Sequence, residues 1–585
     1  MGMPNKLFDK LGFDRPDARF ELLETEAGEP NEAFFGAKRR DERGGGRKKN
    51  ARESATLGAG NGRIARSVDK NERFFRALFA SDINPDVIFR RFCTGGGTDA
   101  LIVYMNGMAD AGTVSDFLLR PLMDKGSGRG KAVERASECA VQIGEVEKQS
   151  SCAAIAEAIM EGRTALFIDG EREALIAETR GFEARSVGTA ENERIVRGPQ
   201  EGFTESIRTN VTLVRRILKT PDLIVSYVPS RGENGTKLAL IYRRGVTNPR
   251  LVSEMEKRLS RMDTGLVSSS GIVEQLIEDS PHSPLPQTLA TERPDRVASF
   301  LMNGSAAIIT EGSPFALIMP ATAAALLNSP EDVYMRRPLG TLVRLVRYIG
   351  VFISILLPGY FVAVALYHQG LLSTEVLSTL INSRAMVFEP LPFEMLLLLF
   401  VFQLIREAGM RVPGSVGQAI GVIGGLILGQ AAVSANLAST VILIIVALSG
   451  LGNLCIPDYS TQIAASYFRF AFVMAAWLGG LLALTGAMLC FIAYMANLKS
   501  FGVPFLSPTA PKTFSKRPSV LRGPINGGSG DDWLNTSLEG EDDGAYRMED
   551  RRKHGSRPGT GVGTEPESGS ESGSESESML WRRRA

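Results

Sequence analysis

Charged residues are almost missing from one long segment in the C-terminal half of the chain. Residues 345–498 contain 10 Asp, Glu, Lys or Arg side chains in 154 positions, whereas the other 431 residues contain 121. Three runs inside this segment carry no charge: 348–367, 412–457 and 470–498. A helix needs about 20 apolar residues to cross the hydrocarbon core of a bilayer. The sequence therefore predicts an all-α multispan transmembrane domain at 344–498, following a large water-soluble region.

The averages of the whole chain conceal this division. With 66 Lys+Arg and 65 Asp+Glu, the net charge is +1 and the mean hydropathy is +0.00. The balanced charge predicts that nucleic acid is not a partner, and five Cys are too few for a disulfide scaffold. The N-terminus has no apolar run of signal-peptide length, so we expect the region before the membrane segment to be cytosolic.

Both ends of the chain have the composition of disordered tails. Residues 1–70 are predicted to be a disordered basic tail, in which 38–49 carry seven basic residues. Solvated disorder is one reading of that cluster, and attraction to anionic membrane lipid is the other. Residues 499–585, rich in Pro, Gly, Ser and Glu, are predicted to be a disordered C-terminal tail.

The soluble region between the tail and the membrane mixes strand and helix patterns. The runs 100–105 and 165–168 read as strands, and 154–162 reads as a helix. Residues 160–176 and 302–318 align without a gap and share Met, Gly, Ala, Gly and a final Ala-Leu-Ile. This repeat predicts two related α/β subdomains, which we place at 71–185 and 186–343.

Four firm spans are predicted in the apolar segment. The 46-residue uncharged stretch is twice the length of one span, so we expect it to turn at 434–436. A fifth apolar piece, 393–405, has 13 residues and is preceded by two prolines, so it is expected to be re-entrant, with a short tilted span as the alternative. The four spans are 346–367, 414–433, 436–456 and 468–496.

The distribution of basic residues predicts that both termini are cytoplasmic. Arginines precede the first span and Lys and Arg follow the last, which places both flanks inside by the positive-inside rule. Two cytoplasmic ends require an even number of crossings, and four spans satisfy this. Counting 393–405 as a crossing would break the parity, and dividing the last span at Gly479–Gly480 would restore it.

Four glycines recur every fourth residue in the second predicted span. Their spacing forms a face without side chains, which allows close approach of another helix backbone in lipid. Packing within one subunit and packing between subunits or around a pore both remain open. The candidate helix-packing residues are Gly417, Gly421, Gly425 and Gly429.

Ionisable groups near membrane depth flank the doubtful 393–405 piece. Such groups cost roughly 2.5 to 3.5 kcal/mol each on insertion scales, so they need partners or water. They are either interfacial and snorkelling side chains or the lining of an ion path. The candidate ion-path or gating residues are Glu394, Arg406, Glu407, Arg411 and Gln430.

Two clusters of alternating charge stand out in the soluble region. Clusters of this kind suit a salt-bridged contact between subdomains or subunits better than ligand binding, provided that they are buried. The first contains Arg197, Glu201, Glu205, Arg208, Arg215 and Arg216, and the second contains Glu292, Arg293, Asp295 and Arg296.

Motifs of enzymes are not found in this sequence. The run 126–132 lacks two residues of the phosphate-loop pattern, the three His are far apart in sequence, and no Cys pair has CxxC spacing. We therefore expect a protein that is not an enzyme, with no metal and no cofactor.

A set of motifs resembles the A subunit of bacterial spore germinant receptors, the GerA family. The similarity runs from about residue 75 to 500. The motifs that carry it include SDINPDVIFRRF at 81–92, IVRGPQEGFTESIRTNVTLVRRI at 195–217, QTLATERPDRVA at 287–298, SPEDVYMR at 329–336 and REAGMRVPGSVGQAIGVIGGLILGQAAV at 406–433.

The resemblance implies a subunit of a spore inner-membrane complex that responds to nutrients and starts germination through ion release. It also implies a transporter-like B subunit, thought to hold the nutrient, and a lipoprotein C subunit as partners, and a homo-oligomer that forms a nutrient-gated ion channel. One departure is that Gln403 stands where the family usually has Glu. The alternative function is a non-conducting membrane scaffold whose cytosolic region docks partners.

Overall fold

The computed structural model describes residues 62–123, 143–181, 188–190, 192–195, 197–229, 235–262, 267–411, 425, 427–507 and 509–510. Most of the two predicted tails therefore lies outside the described residues. Two pieces of them do not. Residues 62–70 belong to the fold, since Ile64 is buried and α1 begins at Val68. Residues 499–507 also fold, into a short hairpin whose Phe501 and Val503 are buried.

The first α/β subdomain is a five-stranded antiparallel sheet covered by helices. Its strand order is β1-β2-β4-β5-β3, and the predicted strands at 100–105 and 165–168 are central in it. The elements are α1 (Val68–Leu78), β1 (Val87–Cys93), β2 (Asp99–Met105), α2 (111–123, with a π-helical turn at Val114–Leu119), β3 (Val146–Gln149), α3 (Cys152–Met160), β4 (Thr164–Ile168) and β5 (Ala174–Ala177).

The second α/β subdomain repeats this plan. Its sheet is also antiparallel, with the order β6-β7-β9-β10-β8, which is the same order as in the first sheet. The elements are α4 (Ile207–Ile217), β6 (Leu223–Pro229), β7 (Lys237–Arg243), α5 (Pro249–Arg261), α6 (Ser270–Ile277), β8 (Leu289–Thr291), α7 (Pro294–Met302), β9 (Ala306–Thr310) and β10 (Ala316–Met319). The predicted α/β character of the region is thus confirmed.

A repeated hydrogen-bond motif precedes the first helix of each subdomain. Asn71 in α1 accepts from the backbone N–H of Ala65 and donates to its carbonyl, at 2.8 and 2.7 Å. Asn210 in α4 makes the same two bonds with Thr204. The turns in the repeat noticed in the sequence also correspond, since Gly170 and Gly312 have φ values of 89° and 82°. Both subdomains are therefore built from one structural unit.

Each sheet is buried on both faces because its central strands are apolar throughout. β4 and β9 are buried at every position. Alternate residues of β9 contribute to two different apolar clusters, one against α4 and α7 and the other against α5 and α6. Runs of buried β-branched and small residues of this kind are typical of a sheet covered by helices on both faces.

The region after the second subdomain is helical. Short helices α8 (Ala323–Leu327) and α9 (Glu331–Tyr334) lead into α10 (Arg337–Tyr367), which begins before the predicted domain boundary at 344. Among the described residues, α10 and the last helix are long and apolar enough to cross a membrane. The helices that follow include α11 (Thr374–Arg384), α12 (Leu391–Arg411), α13 (Thr440–Leu454) and α14 (Tyr459–Asn497), and residues 427–434 are helical as well.

The piece expected to be re-entrant, 393–405, lies inside a continuous helix. α12 has 21 residues, which corresponds to about 31 Å at 1.5 Å per residue. The helix is therefore longer than the 13-residue apolar piece, and its course as a re-entrant segment or a short tilted span stays a prediction. The helix also includes Glu394, which accepts from the backbone N–H of Ser439, and Arg406, whose Nη1 donates to Asn453.

α14, expected as one long span, reverses direction in the middle. Gly479 and Gly480 have non-helical dihedral angles, and Gly480 has φ +59° with ψ −144°. The rings of Phe468 and Phe491 are 4.5 Å apart, whereas 23 residues of straight helix would separate them by about 34 Å. α14 is thus a pair of antiparallel helices joined at the two glycines.

The helical region has two ends. At the proximal end Arg347 donates to the carbonyl of Leu327 and Leu498 packs into the core of the second subdomain, and at the distal end Tyr367 donates to the carbonyl of Trp477. Helix α13 runs antiparallel to α10, since Ser449 donates to the carbonyl of Ser354 while Gly452 lies against Gly350. Helices α12 and α13 are parallel, since Glu394 contacts Ser439 and Phe402 lies against Gly450. Both helices therefore begin at the distal end. The predicted turn at 434–436 has Asn436 at φ 55°.

The chain comes back to the second subdomain after α14. The strands β11 (Lys499–Ser500) and β12 (Val503–Pro504) form a hairpin in which Ser500 donates to the carbonyl of Gln287 at 2.6 Å. The backbone N–H of Phe501 donates to Asp279, and the Arg258 guanidinium lies 4.4 Å from the Phe501 ring centroid. The start of α10 and the end of α14 are therefore both attached to the same subdomain.

Candidate functional site

The contact between the two α/β subdomains contains a buried ion pair. Arg215, in the last turn of α4, places Nε and Nη2 at 3.1 and 3.0 Å from Oδ2 of Asp86, which precedes β1. Asn84 accepts a further bond from Nη2 at 3.1 Å. Both charged side chains are 3% exposed. Because removal of either partner would leave a buried charge without its counter-charge, the pair holds the subdomains in one arrangement.

A groove of about 890 Å³ lies beside this pair, between the subdomains. Burial, and next to it the Asp86 carboxylate, raise the pKa of Tyr227 far above its ordinary value. A change in the separation of the subdomains would alter the groove and the Arg215–Asp86 pair together. The polar residues that line the groove include Asp86, Asn106, Asp110, Arg208, Tyr227 and Lys237.

The other residues of the first predicted charge cluster lie elsewhere. Arg216 forms a surface pair with Glu201 at 3.3 Å. Arg197 and Glu205 are exposed, although the main-chain carbonyl of Glu205 accepts from Gly312 at 2.8 Å. The cluster is therefore divided, and only Arg215 has a fully buried ionic contact between subdomains.

The second predicted cluster fastens the linker between the subdomains. Arg293 is 1% exposed and donates through Nη2 to the carbonyl of Pro199 at 3.0 Å and to Asp295 at 2.7 Å. The carbonyl of Glu292 accepts from Phe203, and its carboxylate accepts from Asn192. These bonds attach the extended linker to the start of α7.

Glu193 in the same linker is bound by residues of β8 and α7. Arg296 lies 2.8 Å from its carboxylate, and Thr291 donates to the other oxygen at 2.6 Å. Burial raises the pKa of Glu193, although Arg296 opposes this shift. Arg296 also donates to the carbonyls of Ala325 and Asn328, so it joins the linker to the segment that leads into the helical region.

The connection continues into α10. The hydroxyl of Tyr334 donates to Asp295 at 2.7 Å, and burial, followed by that bond, raises the pKa of Tyr334 to about 12. Asp332, two residues earlier in α9, accepts from Arg344 at 2.9 Å and from Arg347 at 2.8 and 3.0 Å. Asp332 has no exposed surface. A set of buried and half-buried polar contacts therefore runs from the subdomain linker to α10.

Glu394, a predicted ion-path residue, is enclosed by neighbouring helices at the distal end. It is fully buried, accepts from the backbone N–H of Ser439 at 2.5 Å, and lies 3.3 Å from Arg384. A carboxylate at this position interacts favourably with the N-terminus of α13. Glu394 thus joins α11, α12 and α13.

The other ion-path candidates are not gathered around Glu394. Arg406 contacts Asn453 near the proximal end, about 18 Å along α12 from Glu394. Glu407 is half-buried and Gln430 is exposed. Arg411 is the last residue of α12, and its side chain lies outside the described part of the structure. The structure separates these candidates into two ends of the helical region.

Two of the four glycines predicted to pack against another helix, Gly425 and Gly429, lie in the described residues. A Cβ added at Gly429 would lie 3.6 Å from Leu443 of α13, so this glycine faces a helix of the same chain. A Cβ at Gly425 would meet none of the described atoms within 4 Å. Gly417 and Gly421 lie outside the described residues.

Two residues that the sequence reasoning missed are Asp332 and Arg469. Arg469 is fully buried and donates to the hydroxyls of Ser449 and Ser466 at 3.0 and 3.2 Å. Its signal was available, because it is the one charged residue between Asp458 and Lys499. Asp332 carried no comparable signal, since nothing in the spacing pairs it with arginines 12 and 15 residues later.

Metal chemistry has no support among the residues that the structure describes. No group of three or more His, Cys, Asp or Glu side chains there could hold a metal ion. The described site is a set of ionic and hydrogen-bonded contacts between two subdomains, their linker and a long helix.

Comparison with known proteins supports the resemblance seen in the motifs. The family profile described as Bacillus/Clostridium GerA spore germination protein matches residues 74–529. Spore germination protein KA of Bacillus subtilis (strain 168) is 35% identical over 429 residues, which cover 73% of this chain and 79% of that protein. Spore germination protein GerLA of Bacillus cereus is also 35% identical over 429 residues, covering 73% and 87%.

A solved structure is similar as well. It is the crystal structure of the N-terminal domain of the A subunit of the Bacillus megaterium spore germinant receptor GerK3, with 31% identity and a TM-score of 0.35, covering 44% of this chain and 96% of that one. Given the extent of the family match and the identities above, the chain belongs to the GerA family of spore germination proteins.

Proposed function

We propose that this chain is the membrane subunit of a spore germinant receptor, in which it couples nutrient sensing to ion release and the start of germination. The observation that carries the proposal is the buried polar connection between soluble and helical regions. Arg293 holds the subdomain linker, Asp295 binds Tyr334, and Asp332 binds Arg347 of α10. A change in the linker would thus reach α10 through side chains that cannot be rearranged independently.

We place the helical region in the spore inner membrane as a multi-pass domain with both termini cytoplasmic. The attachment of α10 and α14 to the same subdomain supports an even number of crossings. The sequence predicts four spans. A membrane-spanning α12 adds one crossing, and the reversal of α14 at Gly479–Gly480 adds another. The number then stays even, consistent with the basic residues at both flanks.

In this proposal the chain is not an enzyme and acts within an assembly. Copies of the chain oligomerise into a gated ion channel, with a transporter-like B subunit and a lipoprotein C subunit as partners and membrane lipid around the helices. The family membership supports this assembly. The separation of Glu394 from Arg406 implies that an ion path would involve more than one polar site along the helices.

The proposal is tested in spores in which this chain belongs to the single remaining receptor. Such spores are exposed to a panel of amino acids, sugars and nucleosides, and potassium release and loss of refractility are followed. We expect a response to at least one nutrient, abolished by deletion of the gene. Unchanged nutrient-triggered germination in the deletion strain would sink the proposal.

The alternative, a non-conducting scaffold, is separated by reconstitution. The purified chain, alone and with its partner subunits, is placed in vesicles loaded with a potassium-sensitive dye. Flux of monovalent ions that depends on this chain favours the channel. The scaffold is favoured if spores germinate in response to nutrient but the reconstituted complex passes no ions. The large soluble region is the feature that suits docking of partners.

A further inference from the structure

Arg469 is a buried cation in the middle of the helical region without an acidic partner. It has no exposed surface, and its Nη1 and Nη2 donate to the hydroxyls of Ser449 and Ser466. Its Nε is buried and has no hydrogen-bond partner among the described residues. Two neutral hydroxyls satisfy part of the hydrogen-bonding capacity of a guanidinium, but they leave its charge uncompensated.

Arg406 is a second cation close to the first. When the Asn453 amide is oriented so that both of its polar atoms are satisfied, its oxygen accepts from Nη1 of Arg406 at 2.6 Å. The same amide lies 3.3 Å from the Ser466 hydroxyl, which binds Arg469. Nε and Nη2 of Arg406 are buried without a partner in the described structure. One amide and one hydroxyl thus separate the two guanidinium groups.

Glu407, the next residue of α12, attracts Arg406 electrostatically, but in the part of the chain that the structure describes neither guanidinium has a carboxylate in direct contact. Within the described residues, no carboxylate oxygen lies within 4 Å of either guanidinium, whereas Arg347 has Asp332 and Arg384 has Glu394. Residues 412–424, which follow α12, contain no Asp or Glu. Two cations with one acidic neighbour keep an excess positive charge, and a charge in the membrane interior costs several kcal/mol, so a further anion would be stabilised here.

An unsatisfied acceptor lies on the same side of α12 as Arg406. Gln403 precedes Arg406 by three residues, which places both side chains on one face of the helix. Its Oε1 is buried and has no hydrogen-bond partner in the described part of the chain. The amide and the guanidinium therefore do not satisfy one another. A carboxylate at this position would supply the negative charge that a neutral amide cannot.

We propose that Arg406 and Arg469 together bind a small monovalent anion, such as chloride, inside the helical region. The donors are the N–H groups that have no protein acceptor, Nε and Nη2 of Arg406 and Nε of Arg469. Bonds from guanidinium to an anion are stronger than those to neutral acceptors. A water molecule would satisfy the same donors without reducing the charge, so the two occupants differ in a measurable way. This site is additional to the proposed function.

The first test is anion-dependent stability of the full chain, purified in nanodiscs. Thermal unfolding midpoints are compared in sodium chloride and sodium gluconate at equal ionic strength. A ligand that binds only the folded state stabilises it in proportion to the logarithm of its concentration above its Kd. We expect the midpoint to rise with chloride and to stay level with gluconate. Equal midpoints in both salts overturn the proposal.

Two variants and a control locate the effect. Arg469→Gln removes one guanidinium and should abolish the chloride dependence. Gln403→Glu adds a carboxylate next to Arg406 and should also abolish it, while raising the midpoint in gluconate. Arg384→Gln removes an arginine that already has Glu394 as its partner, so it should lower the midpoint but retain the chloride dependence.

Direct binding provides the second readout, which measures occupancy of the site in the folded chain and not its stability. Radioactive iodide is equilibrated with the chain in nanodiscs and competed with chloride. Saturable binding of about one iodide per chain, lost in Gln403→Glu and kept in Arg384→Gln, supports the site. Binding that does not saturate, or that Gln403→Glu leaves unchanged, shows an adventitious ion only and overturns it.

Discussion

Asp332 and Arg347 form a two-point ion pair at the junction between the soluble and helical regions. Both oxygens of the carboxylate accept from the guanidinium, at 2.8 and 3.0 Å, and the side chains are 1% and 9% exposed. Paired, planar contacts of this type fix orientation as well as distance. The start of α10 is therefore held to α9, which in turn is bound through Tyr334 to the second subdomain.

Replacing Asp332 should damage both stability and coupling. Asp332→Asn leaves Arg344 and Arg347 buried without a carboxylate, a change that costs roughly 3 to 5 kcal/mol for a buried pair. We expect a lower thermal unfolding midpoint of the chain in nanodiscs and slower potassium release from spores exposed to nutrient. Glu331→Gln, one residue earlier and half-buried, is the control and should change the unfolding free energy by no more than about 0.5 kcal/mol. Equal effects of the two variants would contradict this role.

The ion pair between the subdomains can be measured by a double-mutant cycle. Asp86→Asn and Arg215→Gln should each destabilise strongly, and their combination should lose much less than the sum of the two, with a coupling energy in the range of about 0.5 to 3 kcal/mol for contacting residues. The surface pair Arg216 and Glu201 is the matched control, with an expected coupling of about 0 to 1 kcal/mol. Unfolding is followed with denaturant on the full chain. A coupling as small for the buried pair as for the surface pair would contradict the argument.

Stability should depend on pH through Glu278. Burial raises its pKa to about 8, the hydrogen bond from Gln287 opposes the shift, and Glu274 and Asp279 add to it. The folded state therefore binds a proton more tightly than the unfolded state. Its contribution is fully present below about pH 4.5 and is lost as pH rises towards 8, at about 1.4 kcal/mol per unit of pKa difference.

The difference between wild type and Glu278→Gln isolates this contribution from other titrating groups. The variant keeps an oxygen for the Gln287 N–H but has no proton to lose, so its unfolding midpoint should fall less between pH 5 and 8. Glu205→Gln, at an exposed position, should keep the slope of the wild type. Parallel pH profiles for wild type and Glu278→Gln would show that Glu278 does not titrate in this range.

The repeat at 160–176 and 302–318 was enough to predict two related subdomains, because its glycines and apolar residues occupy the same turns and strands in both sheets. The correspondence between the first helices of the two subdomains could not be found in this way. Asn71 and Asn210 make the same pair of bonds, but the helices around them share few other residues. A motif that depends on one amide and two main-chain groups leaves almost no trace in the sequence.

Interpretation of the membrane charges was limited for a different reason. The positive-inside rule predicts that Arg344 and Arg347 form a cytoplasmic flank, but it does not indicate that Asp332 is their partner. Glu394 and Arg406 were grouped because they flank one apolar piece, yet a helix of 21 residues places them at opposite ends. Sequence proximity indicates spatial proximity only where the local structure is known.

The reversal of α14 gives the last prediction. Gly480 has φ +59° and ψ −144°, a region that is essentially restricted to glycine, and a Cβ there would lie 3.0 to 3.1 Å from Tyr367. Gly480→Ala should cost at least about 1 to 3 kcal/mol and open the pair of helices. Gly486→Ala is the control, since its Cβ would meet nothing within 4 Å and alanine favours helix by up to about 1 kcal/mol.

The measurement is cross-linking between cysteines at positions 468 and 491, whose side chains are in contact only if the helix reverses. A short bismaleimide should link them in the parent protein in a background without other cysteines. Gly480→Ala should reduce the yield and lower the unfolding midpoint, whereas Gly486→Ala should leave the yield unchanged and the midpoint equal or higher. A parent protein that gives no link would mean that residues 459–497 form one straight helix, and the number of crossings would then be odd.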